Sequence, residues 1–359
     1  MMTKSQRIGL LILFGLSIVS LVYVFNNYRQ AFPEVDIPIQ YDKDVASTML
    51  DSILTEFGAN PDDFKSITIM NENSAKLFLD KEYGGDTILS VHLDETIPIW
   101  VWKKRYFVPL QKEEYNISIR PDDGELAYFR HSVPESLSGA DIPAQQAKSI
   151  ADSFIVSLGY NLADFELKNE TSDKRPNRRD HNFTYQRIDW DLGGAKDWIS
   201  VGIWGDEIGY FSHYLHIPEN WWREYSKSRS SNILYQNADQ LLAIILALAM
   251  LGYLVVAFRR KGLAWKFGSI FSIIAFGVSL AMQLNSFSLT IIGYNTMDSY
   301  SGFIFQQIVY AILQSALVGL ICLVAAVAGE RIYREFLPQF DFLPDLFSPA
   351  GWRSNSFRK

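Results

Sequence analysis

The sequence predicts an α+β extracytoplasmic domain, made of duplicated helix plus antiparallel hairpin units, together with four transmembrane α-helices. Three observations predict it. Four stretches are apolar and nearly free of charge, a polar middle of about 210 residues separates the first from the other three, and that middle repeats one phrase. "MLDSILTEFGANPDDF" at 49–64 returns 101 positions later as "IADSFIVSLGYNLADF" at 150–165.

The first apolar stretch, "IGLLILFGLSIVSLVYVF" at 8–25, has 18 residues without a charge, enough to cross a hydrocarbon core of roughly 30 Å. No Ala-x-Ala pattern precedes "NNYRQAFPE", so it reads as an uncleaved anchor rather than a signal peptide. The other three lie at 238–258, 263–284 and 303–329. Lys4 and Arg7 precede the first span, Arg259, Arg260, Lys261 and Lys266 join the second to the third, and Arg331 and Arg334 follow the fourth. By the positive-inside rule these flanks are cytoplasmic. The expected organisation is a multi-pass cell-membrane protein with both termini cytoplasmic: 1–26 as N-terminus and anchor, 27–139 and 140–237 as two extracytoplasmic repeats, 238–330 as three membrane helices, and 331–359 as a cytoplasmic tail. "FSLTIIGY" at 287–294 is expected along the outer membrane interface.

Residues 27–237 hold 34 Asp and Glu against 22 Lys and Arg, a net −12. That charge disfavours nucleic acid as a partner. The single cysteine, Cys322, falls inside the fourth span, so the domain must stand on its own core without disulfides.

In the first repeat Asp44 is expected to cap a helix whose stripe is Met49, Leu50, Ile53, Leu54 and Phe57, with Gly58 at its end. In the second, Pro143 suits the first turn, Ala147, Ile150, Ala151, Phe154, Ile155 and Leu158 keep the 3.6-residue period, and Gly159 stops the helix. Each helix precedes a hairpin, "NISIRPDDGELAYFRHSVPE" at 116–135 and "SVGIWGDEIGYFSHYLHIPE" at 200–219, with Tyr128-Phe129 and Tyr210-Phe211 in matching places. The first copy carries an extra "HLDETIPIWVWKKRYFVPLQ", which reads as an aromatic strand pair or an edge segment limited by its prolines.

A helix, a strand, an Asp/Gly turn and a second strand resemble the PepSY-type modules of bacterial extracytoplasmic proteins. The stretch 147–187, "AKSIADSFIVSLGYNLADFELKNETSDKRPNRRDHNFTYQR", and the ending "GERIYREFLPQFDFLPDLFSPAGWRSNSFRK" resemble the N-terminal accessory half of large bacterial CPBP-type (CAAX-protease-like) intramembrane metalloproteases. In that family a Glu-Glu pair with a following Arg, and later membrane histidines, hold a metal. None of the four spans carries Glu or His, so no catalytic, cofactor or metal residue is carried over and the protease half lies outside this chain. The resemblance implies a non-catalytic regulatory or substrate-recognition module, with an intramembrane protease bundle and an extracytoplasmic peptide as partners. The alternative is a free-standing sensor or scaffold that binds an envelope ligand.

One ligand-binding constellation stands out. "DKRPNRRDH" gathers Arg175, Arg178, Arg179 and His181 in an acidic domain, where guanidinium forks can hold a carboxylate or phosphate, or can pair with local acids in a solvated loop. Phe183, Tyr185 and then Ile188 alternate, which reads as a strand whose aromatics face the core. His213 and His216, three apart on a strand, face opposite sides and so do not share a metal. Seven of nine tryptophans fall in the outer domain, as core packing or as a groove lining, with Trp221-Trp222 expected on the outer membrane surface. The tail aromatics read as an interfacial connector or a disordered tail.

Overall fold

The computed structural model describes residues 4–258 and 263–336, which form two compact units. One contains Ser20–Arg223 and Ile291–Tyr300; the other consists of apolar helices. The tail at 337–359 lies outside the described residues.

Four helices are long and apolar enough to cross a membrane: α1 (Lys4–Ala31), and later in the chain Glu219–Phe258, Trp265–Asn285 and Tyr300–Phe336. Two of these pack closely. A side chain at Gly268 would collide with Val327, and one at Gly319 would crowd the Ser272 carbonyl and Phe276, so hydrogen in place of Cβ lets these backbones approach. The helix Glu219–Phe258 starts well before the apolar run at 238, because its polar first half has no helix breaker to stop it.

The other unit is organised by two amphipathic helices on one face of a sheet. In α2 (Lys43–Glu56), Ala46, Leu50 and Leu54 are fully buried. The cap is Asp42, whose carboxylate accepts from the Asp44 and Val45 amides at 3.0 and 2.9 Å. The sequence pointed to Asp44, two residues late, which instead sits in the first turn. Between β1 (Lys65–Glu72) and β2 (Trp100–Phe107) run two short helices, α3 (Ala75–Glu82) and α4 (Gly85–Leu93). A hairpin of β3 (Glu114–Ile119) and β4 (Leu126–Ser132) follows. Then α5 (Ala144–Ser157) buries Ala147, Ala151 and Ile155, with Pro143 extended at its cap rather than inside its first turn. Both helices end before a glycine with positive φ, Gly58 at 84° and Gly159 at 90°, a conformation side chains resist.

Four more strands close the chain's second half: β5 (Phe165–Lys174), β6 (Arg179–Arg187), β7 (Lys196–Trp204) and β8 (Glu207–His216). All eight pair antiparallel in one sheet of order β1-β2-β3-β4-β8-β7-β6-β5. The sheet's middle is the β4–β8 contact, where Phe129 faces Phe211, Tyr128 faces Ser212 and Arg130 faces Tyr210. Phe129 stacks on Phe57 of the chain following α2 at 3.8 Å between ring centres, and Phe211 meets Phe154 of α5 edge-on at 5.6 Å. Such aromatic pairs add about 0.5–1.5 kcal/mol each beyond area burial.

The core bears on three expectations. The aromatic insertion is neither an edge nor a self-contained pair, because β2 pairs with β1 on one side and β3 on the other; Pro98 and Pro109 bracket the strand instead of interrupting its ladder. Trp221 and Trp222 pack on a second apolar cluster built from α3, α4 and β8, and Trp221 donates from Nε1 to Glu82 at 2.7 Å. Finally, Ile188 stands 45 % exposed just past the end of β6, where the alternation of Phe183 and Tyr185 has stopped.

The β3–β4 turn is tied to α4 by buried charge. His92 accepts from the Ile99 amide at Nδ1, so its Nε2 carries the proton and faces Asp122 at 3.4 Å. Arg120 holds the same carboxylate. Burial raises the Asp122 pKa, but the close approach of His92 and the hydrogen bonds from Arg120 outweigh it and keep the carboxyl well below the usual range. A depressed carboxyl gives its full stabilisation above its unfolded pKa and loses it as pH falls through the folded value. Asp122→Asn is therefore expected to lower stability at pH 7 by about 1–3 kcal/mol. The gap to the wild type should narrow as pH drops below about 4, read by thermal unfolding of the full chain in detergent.

Candidate functional site

Alternation along each strand decides what the uncovered sheet face presents. On β2, Trp102, Lys104 and Tyr106 point toward the helices, which sends Arg105 to the opposite side. On β4, Phe129 points inward and Arg130 outward; on β6, His181, Phe183 and Tyr185 point inward and Asp180 outward. At one end of the outward face these residues line a cleft of about 980 Å³. Its far wall is Tyr294–Met297, from the connection between the helices Trp265–Asn285 and Tyr300–Phe336.

"FSLTIIGY" at 287–294 was expected along the membrane interface; the second half of the connection also packs against the sheet. Ile291–Tyr300 belongs to the sheet's compact unit. Tyr294 is 1 % exposed and packs on Phe107 with ring centres 5.2 Å apart. Arg105 fixes the backbone there: Nη1 donates to the carbonyls of Ile292 and Tyr294 at 2.9 and 2.7 Å, while Nε and Nη2 hold Glu114 at 3.0 and 2.6 Å. The Leu110 amide adds a bond to the Thr296 carbonyl at 2.8 Å. Of "TIIGY" at 290–294, Tyr294 is buried, Ile291 and Ile292 are half-buried, and Thr290 and Gly293 stay exposed.

The basic run 175–181 is divided by the sheet. Arg175 and Arg178 line the cleft; Arg179 and His181 turn to the helix side. Asp180, 3 % exposed, accepts from Arg178 at 2.7 and 3.3 Å and from Arg175 at 3.0 Å. Arg178 also donates to the carbonyls of Pro134 and Leu137, both at 3.0 Å, and Arg175 faces Glu135 at 3.4 Å. Arg179 and Lys174 share Asp141, whose carboxyl these hydrogen bonds lower, Lys174 most. His181 is fully buried; Nε2 donates to the Ile142 carbonyl at 3.0 Å and Nδ1 accepts from Ser172 at 2.7 Å. These four side chains clamp loops together: Arg178 and Asp180 the 134–139 segment, Arg179 and His181 the approach to α5.

Trp204 forms the cleft's remaining wall. Its indole lies flat over Gly209, where any side chain would overlap the ring, and its Nε1 donates to the His131 carbonyl at 3.0 Å. Further along the same face Lys103 is half-buried, and burial followed by its neighbour Arg105 lowers its pKa.

Two acid–histidine pairs flank the sheet's middle. His131 meets Glu113 at 2.9 Å and stacks on Tyr115; His213 meets Asp197 at 2.8 Å and Tyr160 at 3.0 Å. His216 stacks on Trp198 at 3.7 Å, on the other face of β8 from His213, and burial lowers its pKa. No group of three or more His, Cys, Asp or Glu able to hold a metal occurs among the described residues.

No protein-family model matches this chain, and no curated protein matches it in sequence. Among solved structures, the Bacillus megaterium YpeB C-terminal domain aligns with 48 % of this chain and 62 % of its own at 14 % identity, with a TM-score of 0.28. The aligned part is thus less than two thirds of that domain, and the likeness carries no argument about function.

Proposed function

We propose that the chain is a non-catalytic, membrane-anchored recognition module whose outward sheet face binds an extracytoplasmic peptide and passes the event to its membrane helices. The observation that carries this reading is the origin of one cleft wall. Tyr294–Met297 is covalently continuous with two candidate membrane spans, so a ligand in the cleft touches the connection between them. A wall of that origin turns occupancy into a force on helices, which a purely structural cleft does not need.

The same segment supports the exported topology. If all four candidate helices cross, 27–237 and the 285–300 connection share one side, in keeping with the compact unit that Ser20–Arg223 and Ile291–Tyr300 form. The Lys and Arg that flank the opposite ends support the extracytoplasmic assignment of that side.

The two halves are copies, on this reading, related by a dyad through Phe129 and Phe211. Equivalent residues 82 positions apart face each other there, and Tyr128 and Arg130 face the equivalents of one another. Asp51 of α2 accepts from Tyr106 of β2, and Asp152 of α5 accepts from Tyr185 of β6. Tyr106 lies opposite Tyr115 and Tyr185 opposite Ile199, while Glu113–His131 and Asp197–His213 follow in step. The insertion that breaks the likeness is then α3 and α4, not the aromatic strand.

The CPBP resemblance supports a role in presenting substrate to, or regulating, an intramembrane protease bundle; a free-standing sensor uses the same coupling without that partner. Titrating the full chain in detergent with an extended-peptide library tests recognition: saturable binding that changes thiol accessibility at Asn295→Cys is expected, and no saturable binder contradicts it. Co-purification with a bundle bearing Glu-Glu-x-x-x-Arg and membrane histidines separates the two roles.

A further inference from the structure

We propose that the cleft selects an acidic peptide segment, held by Lys112 and Arg130; this rests on the recognition reading above. The lining carries five Lys and Arg against three carboxylates, Glu114, Glu135 and Asp180, inside a domain of net −12. The local sign is the reverse of the surroundings.

The five cations are not equivalent. Arg105, Arg175 and Arg178 each spend their guanidinium on an internal carboxylate, and Arg105 and Arg178 also on backbone carbonyls. They are fastenings. Lys112, in the turn after β2, and Arg130, on β4 beside the Tyr128 hydroxyl, are exposed and have no ion pair among the described residues. Arg130 sits one strand over from the Asn116 position of β3, and Lys112 lies two residues before Glu114, so both flank the same end of β3. A carboxylate entering there meets two cations whose charge no other acid has taken.

The volume distinguishes an acidic chain from a small anion. About 980 Å³ is the size of a large ligand pocket, far beyond one phosphate. Trp204 and Met297 supply apolar walls for side-chain stems, while Asn295 and Thr296 supply polar groups for peptide amides. The bulk charge of the domain repels such a segment at long range, so the attraction must come from the cleft itself and should be lost when the two cations are removed.

The test is isothermal titration of the full chain in zwitterionic nanodiscs with an octaglutamate peptide, an octaglutamine peptide and inorganic phosphate. Octaglutamate should bind saturably, octaglutamine at least tenfold more weakly, and Lys112→Gln/Arg130→Gln should lose at least tenfold in octaglutamate affinity. Lys168→Gln, an exposed cation on β5 outside the cleft, should change affinity less than twofold. Equal binding of the two peptides overturns the charge selection and leaves peptide recognition standing. Binding of neither, where other library peptides also fail, overturns both. Displacement of octaglutamate by an equal concentration of phosphate, or unchanged affinity in the double variant, overturns the acidic-peptide assignment.

Discussion

Arg105→Ala is expected to free the Ile291–Tyr300 segment from the sheet. The guanidinium is 10 % exposed and bonds one carboxylate and two carbonyls, so its loss strands a Glu114 that is 22 % exposed and two acceptors on the loop. Breaking a buried pair by deleting one member costs about 3–5 kcal/mol, and partial exposure of Glu114 puts this case near about 3. Contacts that persist include the Leu110–Thr296 bond, the packing of Phe107 on Tyr294 and Tyr300, and Lys65 over the Tyr300 ring. A loss of that size multiplies the open population by about a hundredfold. Limited proteolysis of the full chain should therefore cut near Met297 about a hundred times faster. Arg105→Lys should fall between, because an ammonium cannot serve the fork and both carbonyls together. Cleavage at the wild-type rate in Arg105→Ala would show that the loop is held by packing alone.

The second large effect separates two residues that occupy matching places. Asp51 accepts from Lys104 at 2.7 and 2.8 Å and from Tyr106 at 2.9 Å, where the Lys104 side chain is 6 % exposed. Burial, followed by the Asp51 charge, holds the Tyr106 hydroxyl far above its ordinary pKa, so it donates at every accessible pH. Asp152 makes the same kind of contacts with Lys148 and Tyr185, but there lysine and aspartate are each 28 % exposed. Asp51→Ala should cost about 3 kcal/mol, the low end for a buried pair because the Asp51 side chain is itself 35 % exposed, since it leaves the buried Lys104 ammonium with Ser47 and the face of Tyr106. Asp152→Ala should cost about 1–2 kcal/mol, because Lys148 can reach water. Thermal unfolding of the two variants compares them directly; equal losses would mean that burial of the lysine does not set the cost.

Helices α2 and α5, both hairpins and the four long apolar helices were legible because each writes a local pattern: a period of 3.6 in 43–57 and 144–158, two around an Asp/Gly turn, and long uncharged runs. β1 was not, since its exposed edge residues show no clean alternation, and α3 and α4 are too short to establish a stripe. The Asp44-for-Asp42 error is of the same local kind, where two acids two apart both suit a cap. The cleft was legible only in part. Arg175 and Arg178 announced themselves as a cluster, but Arg105, Lys112 and Arg130 are dispersed along the chain, and Tyr294 lies nearly 190 residues from Arg105. The reason Arg179 and His181 part from Arg178 is strand parity, which assigns neighbours to opposite faces once β6 begins at Arg179. That was readable in principle. What covers each face was not.

The central claim is that the outer domain and the connection at 291–300 are exported together and form one recognition unit. Labelling intact cells with a membrane-impermeant maleimide measures this most directly, using Cys322→Ser chains that carry either Asn169→Cys or Met297→Cys, both exposed positions. Both should label without lysis. Protection of either one until the membrane is broken would contradict the account.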